Sequence, residues 1–76
     1  MNVLIVIHYI SSENKVMRRG EFPLKRKTKE EAALEFWKWI KREHPYECII
    51  EKVIVDGEDI TERVEELERS RLNESL

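Results

Sequence analysis

The chain has 76 residues and a single cysteine, so one domain is expected and a disulfide framework is excluded. One Cys and two His also fall short of the four ligands of a structural zinc site, and neither a metal nor a cofactor is expected. The net charge of −2 hides two opposite halves: residues 1–46 carry ten Lys/Arg against six acids, and residues 47–76 carry four against ten.

Residues 3–10, V-L-I-V-I-H-Y-I, are short, rich in β-branched side chains and bounded by Ser11-Ser12-Glu13-Asn14, which predicts a strand. Both of its faces are apolar, as expected of a central strand. Residues 15–22 return as a second, more polar strand through a hairpin. Pro23 lacks a ladder donor and places that strand at an edge, and Gly20 is read as the mark of a bulge.

Thr28-Lys29-Glu30-Glu31 is a capping box that opens a helix running to about Glu43, stopped by His44 before Pro45. Ala33, Phe36, Trp37 and Ile40 form its core stripe, with Glu35, Lys38 and Arg42 opposite. A third strand is predicted from about Glu47 to Val55, ended by Asp56-Gly57. Its charged pair Glu51-Lys52 interrupts the alternation and suggests a bulge or a solvated face. A second helix over 60–72, capped by Asp59 or Thr61, has a thin apolar stripe of Ile60, Val64, Leu67 and Leu72. Residues 73–76 are read as a short tail after a single domain over 1–72.

The expected fold is therefore α+β, in the order β-β-α-β-α. It has a three-stranded antiparallel sheet of order 2-1-3, with the main helix on one face. The other face of the first strand is still apolar. The second helix or another subunit must cover it, and a subunit contact is the expectation.

Catalysis is not expected. His8 reads as a half-buried strand histidine, His44 as a helix-terminal residue and Cys48 as a small core residue. No local signature supports a Cys48–His dyad. The two glycines make no phosphate-cradling loop, Asp56-Gly57-Glu58-Asp59 reads as a turn, and no small-molecule substrate is expected.

Two surfaces stand out instead. Arg18, Arg19, Lys25, Arg26 and Lys27 form a basic cluster on the edge strand and the loop after it. The charges of the first helix are expected to cancel internally, Lys38, Lys41 and Arg42 against Glu30, Glu31, Glu35 and Glu43. Trp39 lies about 120° from the core stripe at 100° per residue, so it packs at the domain rim or anchors a partner. The second helix carries an acidic surface of Glu62, Glu65, Glu66 and Glu68.

The leading expectation is a non-enzymatic protein-interaction module that self-associates, as a dimer, and regulates or inhibits a larger macromolecule. Such a role would suit an accessory protein of a phage or mobile element. The first alternative is a nucleic-acid-binding protein using the basic edge strand and loop. The second is an acidic mimic of a phosphate backbone. Abundant Glu, Lys and Arg with no Gln matches heat-adapted composition. Met1 leads into the apolar run without a basic leader, and with the lone thiol this gives a cytoplasmic, non-membrane expectation.

Overall fold

A two-residue loop sets the register of the first hairpin. Ser12 and Glu13 sit at φ of 52° and 68°, the left-handed geometry whose twist matches that of paired strands. On this turn β1 (Asn2–Ser11) and β2 (Asn14–Pro23) pair without a break from Ser11–Asn14 to Asn2–Pro23. The computed structural model describes residues 1–44 and 46–74, with side chains described as far as residue 71.

The main helix, α1 (Lys29–Glu43), begins at the capping box. Thr28 Oγ1 accepts the Glu31 N–H at 3.1 Å, and the Glu31 carboxylate accepts the Thr28 N–H at 3.1 Å. It ends at His44, whose φ of −103° and ψ of 134° are the extended values favoured before a proline. Pro45 itself lies outside the described residues.

The third strand, β3 (Cys48–Val55), pairs antiparallel with β1, and its register slips between His8 and Tyr9. Lys52 faces His8 and Ile50 faces Tyr9, so Glu51 is the extra residue of a bulge at the charged pair. Asp56 and Gly57, at φ of 49° and 85°, then reverse the chain into β4 (Glu58–Asp59). The Asp56 carboxylate accepts the Leu4 N–H at 2.9 Å, and the Asp56 N–H donates to Leu4 O at 2.9 Å.

The sheet therefore has four strands in the order β2-β1-β3-β4, not three. The neighbours 2-1-3 stand as expected, and the addition is a two-residue strand too short to leave a periodic signal. Gly20 marks no bulge, because Ile5–Gly20 is one pair in a continuous ladder.

The second helix, α2 (Thr61–Glu74), follows β4 after a single residue. Asp59 Oδ1 accepts the Thr61 N–H at 3.0 Å, while Thr61 Oγ1 turns to the Val53 N–H at 2.9 Å and ties the helix start to β3. Ile60 and Val64 are fully buried and Leu67 partly so. The side chain of Leu72 lies outside the described residues.

The two helices lie on the same face of the sheet. The odd-numbered side chains of β1 (Val3, Ile5, Ile7 and Tyr9) form one core with Val53, Val55, Ile60, Val64 and the α1 residues Ala33, Leu34, Phe36, Trp37 and Ile40. The even-numbered side chains of β1 point to the opposite face, and neither helix covers it.

Leu34 explains why α2 sits beside α1 rather than behind the sheet. It is fully buried although it stands off the core stripe. Glu30 and Lys41 lie within about 40° of it on the helical wheel. Both reach α2, through Arg63–Glu30 at 3.5 Å and Lys41–Glu68 at 2.7 Å. Arg71–Glu31 at 3.1 Å adds a third link between the helices. No helix among the described residues is long and apolar enough to cross a membrane.

A candidate binding groove between the edge strand and the main helix

With α2 on one flank of α1, the other flank overhangs β2 and leaves a gap. The ladder puts Val16, Arg18, Gly20 and Phe22 on the helix side of β2, opposite Tyr9, Ile7, Ile5 and Val3. Ala32, Glu35 and Trp39 project from the free flank of α1. Between them runs a groove of about 780 Å³, lined by Arg18, Arg19, Gly20, Phe22, Phe36 and Trp39 and rimmed by Lys25 and Lys27.

The floor is aromatic. Phe22 and Phe36 stand 4.7 Å apart between ring centroids, and Phe36 stacks toward Trp39 at 6.2 Å with 23° between planes. Gly20 makes this packing feasible: a Cβ there would come within 2.8 Å of the Phe22 ring. The Phe22 ring thus lies over the bare backbone of Gly20, which is the reason for a glycine inside this strand.

The wall is cationic. The Arg18 guanidinium sits 5.1 Å from the centroid of the Trp39 indole, a cation–π contact. Trp39 is 42% exposed, so it is a rim aromatic held by Phe36 and Arg18. Lys27 pairs with Glu35 across the mouth of the groove.

The third element is the strand edge. A two-residue hairpin makes Ser11–Asn14 a hydrogen-bonded pair, and such pairs alternate along an antiparallel ladder. The 3.0 Å bond from Leu24 N–H to Met1 O continues the same phase. Lys15, Met17, Arg19 and Glu21 therefore turn their backbone N–H and C=O groups to the open side of β2. Pro23 falls in that phase too, so its missing N–H removes no ladder bond.

Four of the six residues expected to contact a partner meet in this groove: Arg18, Lys25, Lys27 and Trp39. Arg19 borders it along the strand, but its place opposite Val6 directs its side chain to the other face of the sheet. Arg26 is exposed beside it without lining it. Sequence reasoning missed Phe22 and Phe36 as floor residues. The spacing of Gly20 and Phe22, two apart on one strand face, is the signal that would have found them.

The expected cancellation of charge within α1 does not occur. Its carboxylates reach other elements: Glu30 to Arg63, Glu31 to Arg71, and Glu35 to Lys27. Lys41 likewise turns to Glu68. Lys38 and Arg42 make no ion pair among the described residues. They extend the basic surface along α1 away from the groove, because side chains that meet across elements outcompete i±4 partners on one exposed helix.

The acidic residues of α2 have different neighbours. Glu68 is engaged with Lys41. Glu62 and Glu65 border a depression shared with Lys52 and Arg63, whereas Glu66 lies beside Thr28 and Glu30.

The titratable residues named for chemistry are separated. His44 Nε2 and Tyr9 Oη lie 2.7 Å apart in a hydrogen bond, and burial pushes the Tyr9 phenol above its ordinary pKa, partly offset by Arg18. Cys48 Sγ donates to Tyr46 O at 3.6 Å, so the two residues of the supposed dyad have other partners. His8 lies on the uncovered face of β1. Among the described residues no group of three His, Cys, Asp or Glu is placed to hold a metal ion.

What the groove offers is apolar surface, fixed cations and an unpaired strand edge side by side. Comparison with protein-family models, curated protein sequences and solved structures gives no match.

Proposed function

We propose that the protein is a non-enzymatic interaction module that binds an extended, acidic segment of a partner protein in the groove between β2 and α1. The observation that carries this reading is the free backbone edge of β2 running alongside the Phe22–Phe36–Trp39 floor and the Arg18, Lys25 and Lys27 cations. A strand added to that edge takes its affinity from main-chain hydrogen bonds. Every second side chain drops into the groove and supplies specificity. The cations select carboxylates through charge complementarity and speed the encounter.

One observation favours single-stranded nucleic acid as a second reading. Lys38 and Arg42, without an ion pair among the described residues, lengthen the basic surface that begins in the groove, as a phosphate backbone would require. The contact of Arg18 with the Trp39 indole weighs against it, because it occupies ring surface that a stacked base would use.

Selection of a random linear-peptide display library on the protein, with a labelled oligothymidylate titrated in parallel, separates the two. Peptides with an apolar anchor flanked by Asp or Glu, losing affinity with Trp39→Ala, are expected. No enrichment sinks the peptide reading. Oligothymidylate binding that weakens steeply with salt, together with a loss of slope when Lys25, Arg26 and Lys27 are neutralised, establishes the alternative.

A further inference from the structure

We propose that the partner segment adds to β2 antiparallel and in one register, with a bulky apolar residue opposite Gly20 followed by two acidic residues opposite Arg19 and Arg18. This rests on the groove reading above and goes beyond it by fixing the direction of the segment and the order of its side chains.

The free backbone groups of β2 set the register. They belong to Lys15, Met17, Arg19 and Glu21. An added antiparallel strand makes its hydrogen-bonded pairs there and its non-hydrogen-bonded pairs opposite Val16, Arg18, Gly20 and Phe22. Residues directly opposite each other share a face of the sheet. A side chain opposite Arg18, Gly20 or Phe22 therefore points to the helix side. One opposite Arg19 or Glu21 points to the other side, because those two residues pair with Val6 and Leu4. Antiparallel addition continues the pattern of this sheet, whose strand pairs are all antiparallel, and it is the stronger ladder per residue. Read from its N-terminus, the added strand then passes Glu21, Gly20, Arg19 and Arg18 in turn.

Gly20 defines the anchor slot. It is the one helix-side position of β2 without a side chain, and it stands between Phe22 and Arg18 on that face. The Phe22 ring leans over it, and Phe36 Cζ lies 3.7 Å from where its Cβ would be. Trp39 bounds the slot on the Arg18 side, 5.1 Å from that guanidinium. A side chain of the added strand at this level meets aromatic surface, which an aromatic or branched aliphatic residue fills.

The charges fix the order. The residue after the anchor faces Arg19 on the back of the sheet, and the next one faces Arg18 in the groove. Neither arginine makes an ion pair among the described residues, so both are open to a carboxylate. Opposite charges directly across a strand pair stabilise it. The residue before the anchor faces Glu21, where an acid meets like charge. The acids therefore follow the anchor and do not precede it. A parallel strand would carry them in the reverse order.

Arg19 makes the test specific, because its side chain lies outside the groove and only a strand paired with β2 brings a residue opposite it. A peptide selected from the display library is titrated against the full chain by fluorescence anisotropy, with changes at the two residues after its anchor. Arg19→Glu should lower affinity about fivefold. Lys in place of the acid directly after the anchor should restore it, and Lys at the following residue should not. Arg18→Glu should show the converse, with rescue at the second position only. Arg19 is exposed, so Arg19→Glu should keep the circular dichroism spectrum and melting curve of the parent. Peptides that bind but ignore Arg19→Glu, or whose acids precede the anchor, overturn this register and leave the groove reading standing. A library that yields no peptide sinks the groove reading, and the register falls with it.

Discussion

Tyr9 Oη and His44 Nε2 lie 2.7 Å apart, so the middle strand of the sheet and the C-terminal end of α1 share one hydrogen bond. Tyr9 is 1% exposed, and its ring also meets Trp37 edge-on at 5.6 Å. The bond fixes where the helix ends relative to the strand it covers. Tyr9→Phe keeps the ring packing and leaves the imidazole without its partner, so unfolding should become easier by about 1 kcal/mol. A double-mutant cycle with His44→Ala in denaturant titrations should return a coupling of similar size. Full additivity of the two changes would mean the bond contributes nothing.

Stability should be flat in the middle of the pH range and fall at both ends. The Tyr9 phenol is pushed up by burial, so the unfolded chain gives up this proton first once pH passes its ordinary pKa of 10.0. That contribution is whole below pH 10 and is lost as pH rises through the folded value. Lys29, raised chiefly by its hydrogen bond to Glu58, acts in the same direction. At the acid end, the Thr28 N–H holds the Glu31 carboxyl down, Lys29 holds Glu58 down, and the Thr61 hydroxyl holds Asp59 down. Their stabilisation is present above the ordinary carboxylate pKa and is lost as pH falls through the folded values. Melting temperatures across the range should show a plateau from about pH 5 to about pH 10. A maximum near the isoelectric point would contradict this account.

Gly20→Ala should disturb the groove more than the fold. The new methyl meets the Phe22 ring, which must tilt against Phe36, itself stacked toward Trp39. A loss on the order of 1 kcal/mol is expected, together with a changed Trp39 fluorescence spectrum. An unaltered spectrum would show that the Phe22 ring has room to move freely.

The two tryptophans should separate packing from binding. Trp37 is 2% exposed and Trp39 is 42% exposed. Trp37→Ala opens a core cavity and should cost about 3–5 kcal/mol. Trp39→Ala should cost about 1 kcal/mol, the size of an aromatic contact, while lowering affinity for groove-binding peptides at least about tenfold. Equal destabilisation by the two changes would return Trp39 to the core.

The helix cap gives a check on local structure alone. Thr28→Ala removes the acceptor for the Glu31 N–H and should destabilise by about 1 kcal/mol in denaturant titrations. Groove affinity should be unchanged, because Thr28 does not line the groove.

Local rules were legible along most of the chain. Thr28 and Glu31 announce the helix start, and His44 ahead of a proline announces its end. The apolar run of β1 announces a middle strand, and Pro23 an edge. Glu51-Lys52 foretold the slip in β3. The groove was half legible, since its cations and Trp39 were visible as singular residues while Phe36 read as part of the core stripe and Phe22 went unremarked. Other readings failed where two elements meet. Leu34 looks unexceptional on its own helix, yet it is buried on the α1 flank from which Glu30 and Lys41 reach α2.

The sequence by itself determined the order of the elements, their caps and turns, and the pairing 2-1-3, because each depends on residues within a few positions or on one strand's hydrophobicity. Only the tertiary structure decided that both helices share one face, that the carboxylates of α1 pair across elements and leave Lys38 and Arg42 free of ion pairs among the described residues, and that a basic groove opens over β2 while neither helix covers the other face of β1. Those outcomes follow from which side chains approach one another through space, and a periodicity read along the chain carries no such distances.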